Sequence, residues 1–150
     1  MLQRDTNIKI FSDGGFSIPR GVGGWGIVVV EEDEVIHTES GTEKNSTSNR
    51  MEMTAFLTAL KFTEKPVTIY TDSNYVVQGY NLWMNNWVKN GWKNAKNDSV
   101  KNCDLWLQIY DLKDKIGDRV TVKWTKGHNL KAGTKEAYYN DMVDGLTRQY

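Results

Sequence analysis

The chain has 150 residues, 39% hydrophobic and 25% charged, a length and composition that suit a single soluble domain spanning residues 1–150 with a core of its own. Its formal net charge is zero, which excludes capture of nucleic acid by a global field and requires a local patch for any such binding. No apolar run is long enough for a membrane helix, Met1 to Asp5 does not read as a signal peptide, and the lone Cys103 excludes an internal disulfide and a thiolate metal cluster, fitting a reducing, cytoplasmic setting.

Asn7 to Phe11 reads as a first strand, ending in Ser12-Asp13-Gly14-Gly15, where the glycines leave room for a ligand beside the backbone. The glycine-rich connection Arg20 to Gly24 is not a phosphate loop, because no Lys-Ser or Lys-Thr follows and a strand comes next. Trp25 to Val30 and Val35 to Ser40 read as two further strands of an antiparallel meander, joined by a solvated acidic turn at Glu31-Glu32-Asp33-Glu34. Gly41 to Ser48 is a polar loop. A helix is predicted over Asn49 to Phe62, because Met53, Phe56, Leu57 and Leu60 recur at helical spacing. Glu52 sits at the edge of that stripe, where the helix dipole also favours a carboxylate.

Pro66 ends the helical segment, and Val67, Ile69 and Tyr70 favour a buried strand running into Asp72. Ligands gather outside the carboxyl ends of strands in open α/β sheets, so Asp72 reads as a ligand or base; it reads equally well as the N-cap of the next helix. Short helices are predicted over Ser73 to Tyr80 and Leu82 to Lys89. Trp83, Trp87, Lys89, Trp92, Lys93, Lys96 and Lys101 follow one another closely, and from Trp83 to Asn102 the four lysines outnumber the one acid, Asp98, by three charges. Cations interleaved with aromatic faces suit a nucleic-acid strand, although some of these tryptophans belong to the core. Val100 to Ile116 reads as a helix with Leu105, Ile109, Leu112 and Ile116 on one face and Gly117 at its end. Arg119 to Trp124 alternates as a final strand, and His128 follows it in a Gly-containing loop at the sheet edge, which suits a proton shuttle. Lys135 to Tyr150 is predicted helical, with Asp144 flanking Met142, Val143 and Leu146.

Two strand ends and two helix faces thus direct Asp13, Asp72, Glu52 and Asp144 toward one crevice. Four acids gathered there repel one another unless cations neutralise them, and an all-oxygen set suits Mg²⁺ or Mn²⁺ rather than zinc. Such a cluster is able to hold two metals about 4 Å apart for in-line phosphodiester displacement.

The motifs, in order along nearly the whole chain, resemble those of type 1 ribonucleases H of the bacterial kind. Ser12-Asp13-Gly14-Gly15, Asn49-Arg50-Met51-Glu52, Thr71-Asp72-Ser73-Asn74, Lys126-Gly127-His128 and Asn140 with Asp144-Gly145-Leu146 carry the resemblance. The segments Trp83 to Lys93 and Val100 to Trp106 resemble the basic protrusion, or handle. The resemblance implies a five-stranded mixed sheet, order 3-2-1-4-5, with helices on both faces. It implies an endonuclease that hydrolyses the RNA strand of RNA–DNA hybrids, leaving 5′-phosphate and 3′-hydroxyl ends. Asp13, Glu52, Asp72 and Asp144, with the Gly14 carbonyl, would hold two Mg²⁺ ions, and His128 would assist proton transfer or product release. Asn49 and Asn74 would contact the minor groove, Thr47 a DNA phosphate, and Trp83, Trp87, Trp92, Lys89, Lys93 and Lys101 the DNA strand. The protein is expected to act as a monomer, away from membranes.

The chain departs from the pattern in three places. Phe16-Ser17-Ile18-Pro19-Arg20 stands where an Asn-Pro contact is common, Asn129 to Tyr139 is longer than the usual linker, and the handle carries fewer positive charges than in many relatives. The long linker leaves Asp141 as an alternative to Asp144. Asp141 lacks the following x-Leu, and three helical steps turn it about 60° from the face of Asp144. Two rival functions are a hybrid-binding module without chemistry, which has no need to gather acids near phosphates, and a nuclease or integrase on this fold that acts on DNA.

Overall fold

A computed structural model describes residues 8–62, 64–125 and 133–148. Strands β1 (Ile8–Ser17), β2 (Val22–Glu31) and β3 (Glu34–Lys44) form the expected antiparallel meander. β4 (Val67–Thr71) and β5 (Val120–Trp124) add in parallel beyond β1, so the order is β3-β2-β1-β4-β5, as the sequence predicts.

The alternation along β1 and β2 sorts the core into two layers. Ile8, Ile10, Ile27 and Val29 face helix α1 (Ser48–Phe62), whose Met53, Phe56, Leu57 and Leu60 are all buried. Phe11, Val28 and Val30 face the other way, against Tyr139 and Val143 of α5 (Lys135–Leu146). Helices therefore cover both faces of the sheet. The acidic β2–β3 turn is a two-residue hairpin with Glu32 and Asp33 both at positive φ, 51° and 64°. Its tip is not simply solvated: Lys135 Nζ lies 2.7 Å from the Asp33 carboxylate, and the Tyr139 hydroxyl donates to the Asp33 carbonyl at 2.9 Å.

Several boundaries differ from those read in the sequence. β1 runs on to Ser17 because its antiparallel pairing with β2 outlasts its pairing with β4. The two separate helices expected between Ser73 and Lys89 are one continuous run: α2 (Asn74–Gln78), a π-helical turn (Gly79–Trp83) and α3 (Met84–Lys89). No break is needed at Asn81, because the Met84 N–H reaches back to the Gly79 carbonyl and absorbs the extra residue. Helix α4 (Cys103–Ile116) starts later than Val100, since Asn102 at φ 58° is left-handed and cannot belong to a right-handed helix. α5 stops at Leu146 rather than Tyr150. Part of the long linker is helix, because α5 already begins at Lys135.

Candidate active site

The strand register makes Asp13 and Asp72 neighbours. Parallel pairing of β1 with β4 ends at Ser12 and Thr71, and the next residues on the two chains are the two aspartates. Adjacent strands lie about 4.8 Å apart, so their side chains emerge side by side. Asp13 is not at a strand end as expected; it lies inside β1, opposite Gly26, at the point where β1 loses one of its two partners.

Glu52 arrives from α1, and a glycine determines how closely. A Cβ on Gly14 would lie 2.3 Å from the Met51 carbonyl carbon and 2.4 Å from the Glu52 nitrogen, so the helix backbone rests directly on β1. Gly26 does the same for the opposite face: a Cβ there would lie 2.9 Å from Leu146 Cβ on α5. Each acid-bearing helix thus approaches the sheet over a glycine. Carboxylate oxygens of Asp13, Glu52 and Asp72 come within 4.8 Å of one another. The Asp72 backbone is fixed by its surroundings. Thr125 N–H donates to the Thr71 carbonyl at 2.9 Å, Ser73 N–H to Thr71 Oγ1 at 3.1 Å, and Trp124 Nε1–H to the Asp72 carbonyl at 3.1 Å. Ser73, not Asp72, caps α2, accepting from Val76 N–H at 3.2 Å, which leaves the Asp72 carboxylate to the cluster.

Burial and mutual repulsion make the cluster costly. Burial first, then the Asp72 charge, push the Asp13 carboxyl from its ordinary 3.8 up to about 7; contact with Asp144 adds to this and Glu52 partly opposes it. Burial, then Asp13 and Asp72, hold the Glu52 carboxyl well above the usual range. Gly14 N–H donates to Asp13 Oδ1 at 2.9 Å, whereas Glu52 Oε2 is buried without a hydrogen-bond partner among the described residues. Three hard oxygen donors converging from two strands and a helix, one of them orphaned, fit a divalent cation of the Mg²⁺ or Mn²⁺ type. Asp144 lies against Asp13 and is also bonded by Arg148 Nη2 at 2.8 Å. Asp141 is exposed on α5.

The other expected residues spread outward from this centre. Thr47, Asn49 and Asn74 are exposed; the Thr47 hydroxyl accepts from Arg50 N–H at 3.1 Å, capping α1, and Asn74 Oδ1 accepts from Gln78 at 3.4 Å. Lys89, Lys93 and Lys101 are exposed. Trp83, Trp87 and Trp92 are half-buried and support one another: ring centroids are 6.0 Å apart for Trp83–Trp87 and 6.2 Å for Trp87–Trp92. Trp87 also packs on Trp106 at 5.4 Å and Trp92 on Tyr110 at 5.6 Å, so α4 is the floor that a short helix alone does not provide. His128, Lys126 and Gly127 lie outside the described residues.

Sequence reasoning missed the residues that hold these parts in place. Arg50 forms a two-pronged bridge to Asp104 at 3.0 and 2.8 Å and a bond to Asn102 at 3.2 Å. Asn102 and Trp106 both donate to the Tyr75 hydroxyl, at 3.3 and 3.0 Å. Arg50 stands inside the Asn-Arg-Met-Glu motif, which was the available signal; nothing in the sequence marked Trp124 or Gly26.

Comparison with known proteins agrees with this architecture. The RNase H family profile matches residues 5–150. A ribonuclease H of Rickettsia bellii is 43% identical over 130 residues, covering 85% of this chain and 82% of the relative. A ribonuclease H of Francisella philomiragia is 39% identical over 136 residues, covering 89% and 88%. The solution structure of the PFV RNase H domain superposes with a TM-score of 0.77 at 24% identity, covering 97% of this chain and 93% of that one, a likeness of fold.

Proposed function

The chain belongs to the RNase H family, and on that premise we propose that it is an endonuclease that hydrolyses the RNA strand of RNA–DNA hybrids at the acidic cluster. The observation that carries this is the convergence of the Asp13, Glu52 and Asp72 carboxylates within 4.8 Å, at a burial that raises Asp13 to about 7 and leaves Glu52 Oε2 without a partner among the described residues. A protein that only bound hybrid would gain nothing from that repulsion beside phosphates.

Asp13, Glu52 and Asp72 hold divalent cations, two Mg²⁺ or Mn²⁺ ions once Asp144 and the Gly14 carbonyl join the set. Bound there, the cations supply charge neutralisation and polarisation of the attacking water and the leaving 3′ oxygen. Asp144 lies between Asp13 and Arg148, so a cation there would compete with the Arg148 bridge for its carboxylate. His128 moves the proton or aids product release. Asn49 and Asn74, exposed at the starts of α1 and α2, read 2′-hydroxyls in the minor groove. Thr47 keeps its cap as an acceptor and offers its hydroxyl proton to a DNA phosphate. Trp83, Trp87 and Trp92 present their open edges, and Lys89, Lys93 and Lys101 their charges, to the DNA strand.

The test is a hybrid labelled on its RNA strand, incubated with and without Mg²⁺, beside duplex DNA of the same sequence. Cleavage of the RNA alone, dependent on the cation and leaving 5′-phosphate ends, is expected. Intact RNA at saturating metal would make the protein a binder, and equal cutting of duplex DNA would make it a DNA nuclease.

A further inference from the structure

We propose that Trp124 is a positioning residue for Asp72, acting through its indole N–H. Backbone pairing of β4 with β5 ends at Thr71 and Trp124. The next backbone bond along that edge, from Thr125 N–H to the Thr71 carbonyl at 2.9 Å, is the last rung among the described residues. The Asp72 carbonyl lies one residue further, between the end of β4 and the Ser73 cap of α2, where no backbone bond from the described residues reaches it. Trp124 Nε1–H reaches it at 3.1 Å, so a side chain adds one bond beyond the described backbone ladder. Only an indole combines that reach with a single, fixed donor; Phe lacks the N–H, and a long polar chain would lose far more side-chain freedom on binding.

The consequence falls on the carboxylate. With the peptide groups on both sides of Asp72 pinned, its Cα is fixed and the side chain emerges at one angle toward Asp13 and Glu52. Without the indole bond, the residue keeps its place in the sequence of elements but not its aim. The ring itself is 46% exposed and lies outside the fully buried core, so its removal opens no cavity there.

This inference rests on the assignment of Asp72 as a cation ligand, and the experiment separates the two. Binding of Mn²⁺ alone to the free protein is measured by calorimetry for the wild type, Trp124→Phe, Asp72→Asn, and a protein in which Trp124 is replaced by its benzothienylalanine isostere, which keeps the ring shape and loses only the N–H. Both Trp124 variants are expected to bind Mn²⁺ about tenfold more weakly, the scale of one lost hydrogen bond, with unfolding midpoints near that of the wild type. In cleavage assays their rate recovers as Mn²⁺ is raised, while KM for the hybrid at saturating metal does not change. Unchanged Mn²⁺ affinity in the benzothienylalanine protein, with Asp72→Asn impaired, would overturn the role of Trp124 and leave the site intact. Unchanged affinity in Asp72→Asn would overturn the site assignment itself.

Discussion

Replacing Asp13 with Asn is expected to make the metal-free protein more stable while abolishing cleavage. Asn nearly matches Asp in shape and keeps an oxygen for the Gly14 N–H, but carries no charge. Burial and the Asp72 charge raise the Asp13 carboxyl from 3.8 to about 7 in the fold. Ionising it there is harder than in the unfolded chain, by about 1.4 kcal/mol per pH unit of that difference, or about 4 kcal/mol when ionisation is complete. Glu52 is raised by the same burial and by Asp13 itself, so the two titrate together and a gain of roughly 2–4 kcal/mol is the expectation for the variant. The sign follows from which state holds the proton. Below about pH 4 both states hold it and no penalty exists. Between about pH 4 and 7 the folded protein keeps a proton that the unfolded chain has released, so wild-type stability falls as pH rises; above about pH 7 the whole penalty is present. Urea denaturation in chelator at pH 4, 6 and 8 should therefore show the variant pulling ahead with pH. Added Mg²⁺ should stabilise the wild type and do much less for Asp13→Asn. A stability difference independent of pH, or a variant that loses ground at pH 8, would refute the account of a cluster strained by its own charge.

Other perturbations separate the remaining parts. Gly14→Ala places a methyl 2.3 Å from the α1 backbone, which cannot yield as a side chain would; a loss of about 3 kcal/mol in urea unfolding is expected, with weakened metal binding. Asp144→Asn should weaken cation affinity at least roughly tenfold, the scale found even for groups one shell out from a metal, whereas Asp141→Asn, on the exposed face of α5, should leave calorimetric titrations unchanged. Changing Lys89, Lys93 and Lys101 together to Ala should raise KM for hybrid and flatten the dependence of log affinity on log salt by roughly 2–3, at unaltered kcat.

The core strands and helices, and the trio of Asp13, Glu52 and Asp72, were legible in the sequence, each for a physical reason. Period-2 and helical apolar patterns are properties of contiguous residues, so Ile8 to Phe11, Val67 to Thr71 and Met53 to Leu60 announced themselves. The motif resemblance supplied the rest of the topology, which such local signals do not carry. What was not legible depends on pairs distant in sequence. The end of β1 is set by β2, not by its own residues, and Asp13 was accordingly misplaced at a strand terminus. The joined helical run from Asn74 to Lys89 depends on one i→i+5 bond that no propensity announces. The tryptophans looked too many for a short helix to bury because the floor beneath them, Trp106 and Tyr110, belongs to α4.

Placing helices on both faces of one sheet is what allows this site to be assembled at all. A strand presents neighbouring side chains to opposite faces, so a sheet covered on one side would draw ligands from that side only. Here α1 brings Glu52 over Gly14 and α5 brings Asp144 over Gly26, and Gly26 is the residue paired with Asp13. The two approaches meet where β1 passes the end of β4, at the first position of the central strand that has no β4 partner. Widening either approach by a methyl group separates the acids and relieves their repulsion, which would stabilise the charges while dismantling the cation site. Both glycines therefore set the spacing of the carboxylates, although neither contributes a functional side chain. Gly26→Ala offers the sharper trial of this. The new methyl meets a side chain, Leu146, rather than backbone, so the fold should survive while α5 and Asp144 are displaced. Cation affinity should then fall roughly as far as in Asp144→Asn, with the loss of stability held to about 1–3 kcal/mol. A Gly26→Ala protein that binds Mn²⁺ like the wild type would mean that the spacing of α5 does not govern the site.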